Sequence, residues 1–369
     1  MAARSASRRT ASLTLLIAGG GTGGHLYPGI AVARELLRQL PDAEVSFVGT
    51  QRGLEARVVP AEGFELDLIR SAGLKGKAVT ARLRGIALLV PSLFDAWRVL
   101  ARRRPSVVVG VGGYSSGPVV LLAALRGVPT MVLEQNATPG LTNRLLARVV
   151  RAAAVSYEST LPYFGRRGFV SGNPVRAEFF RPADAPPRTG PPSSVLVLGG
   201  SQGARAINRA MPEAAAIVRR EHPGVRIVHQ TGQAGYEETR DAYARLGVDA
   251  DVVPFLDPLA DRMHEADLVV CRAGATTLAE LAAAGRPAVL VPFPFATDDH
   301  QRRNAQVLVD AGAAAMIDER HLEPERLAAT IVALLADPAA LEAMGEAASR
   351  FARPDAATRI VDRIRELAA

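Results

Sequence analysis

A single cysteine, Cys271, excludes any disulfide within the chain and points to a reducing compartment. No apolar stretch approaches the roughly 20 residues that a membrane-spanning helix needs, so a soluble or peripheral protein is expected. The basic segment MAARSASRRTAS leads into an apolar run that ends too soon, in glycines, to read as a signal peptide. Histidines and carboxylates nowhere group at metal-ligand spacing, so no metal and no cofactor is expected. The one D-x-D, DAD at 249–251, precedes a predicted strand instead of following one, and reads as a turn.

What is present is apolar and basic. Of the 369 residues 48% are apolar, enough for sizeable cores, and the length suggests two domains. A net charge of +7 favours an anionic partner: a nucleotide, a nucleic acid or an anionic membrane surface. Short β-rich runs alternate with helical patterns throughout. SLTLLIAG, EVSFVGT, SVVVGVG, PTMVLEQ and AAAVSYE read as strands in the first half, and SVLVLGG, RIVHQTG, DVVPFL, DLVVCRAG and PAVLVPFP in the second. Runs apolar on both faces and separated by helices imply parallel α/β sheets. The proline-rich RPADAPPRTGPPSS at 181–194 separates two halves that open alike, with strand, glycine loop and helix. The expected architecture is therefore two Rossmann-like domains, 1–174 and 175–352, whose parallel sheets face a central cleft. A C-terminal helix at 353–369 is free to pack back on the first.

The two glycine loops, Gly19–Gly24 and Gly199–Gly203, suit phosphate at a helix N-terminus. The first also satisfies G-x-G-x-x-G, but a dinucleotide site needs an acidic residue at the end of the second strand. That strand ends in SFVGTQRG, without a carboxylate at its tip, which weakens a dehydrogenase reading. His25 directly follows the glycines at the expected mouth of the cleft, a place suited to a general base.

The ordered set GGGTGGHLYPGIAVA, GVGGYSSGP, LEQNATPGLTNRLLA, SGNPVR, LGGSQGA, CRAGATTLAEL and FATDDHQRRNA resembles the MurG family of bacterial cell-wall glycosyltransferases over nearly the whole chain. The resemblance implies the two-domain GT-B fold. It also implies inverting transfer of N-acetylglucosamine from UDP-GlcNAc to the muramyl 4-hydroxyl of lipid I (undecaprenyl-diphospho-MurNAc-pentapeptide), giving lipid II. His25 would be the base. For the donor it implies Thr22, Gly23, Gly24, Asn136, Arg176, Ser201, Gln202, Gly203, Leu256, Ala275, Glu280 and Gln301. Among these, Ser201–Gly203 would hold the diphosphate, Glu280 the ribose hydroxyls, the Leu256 backbone the uracil, and Gln301 the sugar. Asp299, His300 and Asn304 beside Gln301 offer further polar groups to sugar hydroxyls. Gly21, Gly112, Gly113 and Tyr114 would line the acceptor side.

The same resemblance places a membrane patch in residues 73–104, with Lys75, Lys77, Arg82 and Arg84 as a basic rim and Phe94 and Trp97 as the apolar contact. Pro91 is expected to interrupt the helix there. Ile86, Leu89, Val90, Leu93 and Leu100 recur at the same helical spacing, so a core-facing stripe is the competing reading. The implied location is the cytoplasmic face of the cell membrane, held peripherally on its anionic inner leaflet. No nucleic acid is implied, and other cell-wall or division proteins are open as partners. Three alternatives stay open on sequence: a GT-B transferase with another lipid or natural-product acceptor, a UDP-sugar epimerase, and a non-catalytic nucleotide-binding scaffold.

Overall fold

A computed structural model describes residues 13–51, 53–71, 89–180, 190–200 and 203–369. Two all-parallel sheets form. The first holds seven strands: β1 (Thr14–Gly19), β2 (Glu44–Gly49), β3 (Glu65–Leu68), β4 (Val107–Gly112), β5 (Thr130–Glu134), β6 (Ala152–Val155) and β7 (Gly168–Val170), in the order β3-β2-β1-β4-β5-β6-β7. The second holds six: β8 (Ser194–Leu198), β9 (Arg226–Gln230), β10 (Asp251–Val253), β11 (Leu268–Cys271), β12 (Ala288–Leu290) and β13 (Ala314–Met316), in the order β10-β9-β8-β11-β12-β13. In each sheet the order reverses direction at its first strand, and ligands of such sheets bind beyond the strand C-termini at that switch point.

The central strands are buried on both faces, as their unbroken apolar runs require. Leu15, Ile17, Val107 and Val109 face one core of the first sheet, and Leu16, Ala18, Val108 and Val132 face the other. Three strands are absent from the sequence expectation: β3, β7 and β13. All three lie at sheet edges, where a strand is short and half solvated and carries no two-faced apolar signal. The helix Ala356–Ala368 crosses back to the first sheet. Its Ile360, Val361 and Ile364 enter that core, and Thr358 donates to Glu35 at 2.9 Å on the first helix, Gly23–Gln39.

Pro91 does not interrupt its helix, contrary to expectation. It sits in the first turn of Leu89–Arg103, where a missing N–H leaves no bond unmade. The stripe on this helix divides. Ala96, Val99 and Leu100 are buried, whereas Val90, Phe94 and Trp97 are 75%, 54% and 50% exposed. Lys75, Lys77, Arg82, Arg84 and Ile86 lie outside the described residues, as does most of the proline-rich segment. No single described helix is long and apolar enough to cross a membrane.

Candidate active site

The cleft begins where β1 gives way to its glycine loop. The pairing of β1 with β4 shifts register between Ala18 and Gly19, so that Gly19 meets Gly112. A second glycine loop, Gly112–Gly113, is thereby pressed against the first. A Cβ on Gly113 would stand 2.6 Å from the Gly20 carbonyl oxygen, and both Gly112 and Gly113 hold positive φ. The His25 ring packs on Gly112, where a Cβ would approach its Cδ2 to 2.6 Å.

Thr22 is extended and precedes the helix that carries His25, and its hydroxyl lies 3.2 Å from His25 Nδ1. Part of His25 stays open to the cleft, yet the protein packed around the ring removes most of its water. This burial pushes its pKa down to about 4, and His300 across the cleft adds repulsion. A bond to the Gly20 carbonyl and the charge of Glu55 oppose the shift without reversing it. At neutral pH the imidazole is therefore neutral, the form that accepts a proton. His300 opens the helix His300–Asp310, and its Nδ1 is 2.6 Å from the Thr297 carbonyl oxygen, so that nitrogen carries a proton.

Glu55 is the residue the sequence reading missed. No carboxylate stands at the tip of β2, but six residues later Glu55 folds back beneath the first loop, 1% exposed. It accepts from the N–H of Gly21 at 2.7 Å, and from the N–H and hydroxyl of Thr50 at 2.8 and 2.9 Å. The absence of side chains at Gly20, Gly49 and Gly53 makes its room, since a Cβ at any of them would collide with its carboxylate end. These glycines were the available signal. The Gly21 N–H is consequently taken by Glu55, while Gly21 itself stays exposed in the loop.

A second buried carboxylate shapes the next loop. Glu134, at the end of β5, accepts from the Asn136 N–H (3.0 Å) and Nδ2 (3.1 Å), the Gly140 N–H (3.0 Å) and Asn143 Nδ2 (2.9 Å). Burial raises its pKa while these donors hold the charge. Asn136 thus spends its amide nitrogen on Glu134, and its Oδ1 accepts from Asn304 Nδ2 at 3.1 Å. Asn304 is fully buried with both amide atoms bonded, so it does not reach a sugar, against expectation; Asn136 is only half-buried and keeps a second amide N–H outside these bonds. Tyr114 is half exposed, and its carbonyl accepts from Ser71 at 3.1 Å.

The second half supplies the facing wall. Ala275 starts the helix Ala275–Ala284 that carries Glu280, and the Ala275 carbonyl accepts from Asn173 Nδ2 at 3.4 Å. Thr276 donates to the Gly24 carbonyl at 3.2 Å, joining the two halves beside His25. Burial lifts the Glu280 pKa to about 7, Arg176 pulls it down, and Glu178 pushes it up. The Arg176 guanidinium pairs with Glu178 at 2.9 Å and lies over the rings of Phe179 and Tyr27, at 5.0 and 5.8 Å. Gln301 Oε1 accepts the Phe293 N–H at 2.9 Å, fixing the loop after β12. Leu256 packs on the second core ahead of the helix Leu259–Glu265. Gly203 turns at φ +73 before the helix Arg205–Glu221, while Ser201 and Gln202 lie outside the described residues.

The arrangement sets a neutral imidazole on one wall against a carboxylate and a guanidinium on the other. Residues 15–155 match the glycosyltransferase family 28 N-terminal domain, and 194–360 match its C-terminal domain. A protein of Pelobacter propionicus, named UDP-N-acetylglucosamine--N-acetylmuramyl-(pentapeptide) pyrophosphoryl-undecaprenol N-acetylglucosamine transferase, is 46% identical over 95% of this chain and 99% of its own. A Myxococcus xanthus protein of the same name is 47% identical over 95% of this chain and 92% of its own. The crystal structure of Acinetobacter baumannii MurG superposes with a TM-score of 0.77 at 33% identity, covering 96% of this chain and 99% of that one. A UDP-GlcNAc 2-epimerase from Neisseria meningitidis shares the fold alone, with a TM-score of 0.67 at 13% identity over 96% and 99% of the two chains. The chain belongs to glycosyltransferase family 28, and its two halves form the GT-B fold of facing Rossmann-like sheets.

Proposed function

We propose that the chain transfers N-acetylglucosamine from UDP-GlcNAc to the 4-hydroxyl of the muramyl sugar in undecaprenyl-diphospho-MurNAc-pentapeptide, with inversion. The observation that carries this reading is His25, held neutral on the Gly112 shelf of one wall and facing His300 on the other. His25 accepts the proton of the attacking hydroxyl. The anomeric bond to UDP breaks as the new glycosidic bond forms, and the charge that develops on the diphosphate is met by N–H groups at the start of the helix Arg205–Glu221. Glu280 and Arg176 hold the nucleotide end. The test is transfer of labelled GlcNAc to a lipid I analogue. Label in a disaccharide-lipid supports the reading, and label found only in free sugar, in an epimerised donor or in another acceptor overturns it.

The acceptor's lipid requires a membrane surface, and we place it on the helices Leu89–Arg103, Ser116–Leu125 and Leu141–Leu146. Val90, Phe94 and Trp97 of the first, Leu121 and Leu125 of the second and Leu145 of the third are exposed, an apolar band larger than single surface residues account for. Phe94 stacks on Trp97 at 6.2 Å, and Arg98 covers the Phe94 ring at 5.9 Å. With Arg126 and Arg148 exposed beside the band, the face suits an anionic leaflet.

Trp97 is the only tryptophan, so its emission reports this place alone. Anionic vesicles should shift it to the blue, and high salt should weaken the effect by screening the basic rim. At about 1 kcal/mol per basic residue, Arg126→Ala with Arg148→Ala should weaken vesicle partitioning by roughly 30-fold at low salt. An unshifted spectrum in protein that sediments with vesicles would move the contact off this helix.

A further inference from the structure

Asn304 is fully buried where the two halves of the chain meet. Its Oδ1 accepts the Ala137 N–H at 2.8 Å, and its Nδ2 donates to Asn136 Oδ1 at 3.1 Å and to the Ala273 carbonyl at 3.4 Å. The amide cannot be reversed. A flip would set Nδ2 against an N–H and Oδ1 against two acceptor oxygens. One side chain thus ties the 135–140 loop of the first half to the end of β11 in the second. The loop is in turn made rigid by Glu134, which gathers four donors, two of them from Asn136. Around this buried link stand Arg144 with Asp298 at 3.2 Å and Arg303 with Thr138 at 3.2 Å, both exposed to solvent screening.

Asn304 lies three and four residues after Gln301 and His300 on one helix, so all three share a side. We infer that Asn304 is a positioning residue for the transfer: it locks the helix that presents His300 and Gln301 into register with the half that carries His25. All its polar atoms are spent within the protein, so it acts through placement and not through contact with a sugar. Displacement needs its reacting atoms about 3–3.5 Å apart in line, and a slip of about 1 Å between the halves costs roughly 100-fold in rate. This inference rests on the transferase reading above.

The test combines kinetics with a distance measurement. Asn304→Ala should lower kcat by roughly 10–100-fold and leave the Kd of UDP-GlcNAc, measured by calorimetry, within about twofold. Asn304→Asp keeps the volume and the acceptor for Ala137, but sets a carboxylate against Asn136 Oδ1 and the Ala273 carbonyl. It should lose at least as much kcat, which covers the case of an alanine variant that does not fold. In an Asn136→Ala background, Asn304→Ala should cost less than in the unaltered chain, because one of its two partners across the halves is already gone and only the Ala137 bond remains to lose.

The distance readout needs no activity. Spin labels at Arg126→Cys and Glu342→Cys, exposed sites one in each half, should give a narrow distribution that Asn304→Ala broadens. An unchanged kcat, a parallel loss of kcat and donor affinity, additive losses in the double variant, or an unbroadened distribution would each overturn the inference. No GlcNAc transfer by the wild-type chain, together with broadening in Asn304→Ala, would instead overturn the transferase reading and leave the link between the halves standing.

Discussion

His25→Ala should reduce turnover by roughly 10²–10⁴-fold, the usual contribution of a general base, while UDP-GlcNAc binding stays nearly intact. The separation follows from where the ring stands. His25 belongs to the glycine-loop wall, bonded to Thr22 and Gly20, whereas Glu280 and Arg176 belong to the facing wall. Its pH dependence carries a second expectation. A histidine at its ordinary 6.5 would lose basic form from pH 7 downward, but burial sets this one at about 4. The acid limb of kcat/KM that belongs to His25 in the free enzyme should therefore lie near pH 4. Full turnover in His25→Ala at saturating acceptor would remove His25 from the base's role. Residual turnover within the stated range is expected, because the helix N-termini and the oriented donor remain.

The parts of the site that read directly from sequence are those made by local chain geometry. Glycines between an apolar run and a helical pattern mark a loop that approaches a ligand, and His25 follows them without a gap. The central strands are legible for the same reason: β1, β4, β8 and β11 are buried on both faces and so are apolar throughout. What did not read from sequence depends on distance along the chain. Glu55 and Gly21 are 34 residues apart, and Asn304 and Asn136 are 168 apart. A carboxylate beneath a glycine loop looks in sequence like any helix-surface glutamate, because its burial is set by Gly20, Gly49 and Gly53 from other segments. Asn304 has the composition of a sugar ligand and the position of one, yet the meeting of the two halves commits its amide elsewhere. Glu134 and Asn136, polar residues at the end of β5, bond to each other and build the loop that follows.

Glu280→Ala should weaken UDP-GlcNAc binding by roughly 10–150-fold, the equivalent of the 1.5–3 kcal/mol typical of charge-assisted hydrogen bonds, with a smaller loss for Glu280→Gln. The carboxylate is expected on the ribose hydroxyls and so acts on donor affinity, far from the proton in flight. A 2′-deoxy donor should lose affinity with the unaltered chain and lose little more with Glu280→Ala; additive losses would place the carboxylate away from the ribose. The pH behaviour distinguishes this residue from His25. Burial raises the Glu280 pKa to about 7, with Arg176 holding it down from higher values. If the ionised form accepts the ribose hydroxyls, donor binding must draw that pKa down. Affinity should then rise with pH through about 7 and level off above it, and fall as the carboxyl protonates toward pH 6. Arg176→Ala removes the nearest compensating charge, so the same transition should move to higher pH. A donor affinity flat from pH 6 to 8 in the unaltered chain, or one unmoved by Arg176→Ala, would show that the Glu280 charge does not hold the nucleotide.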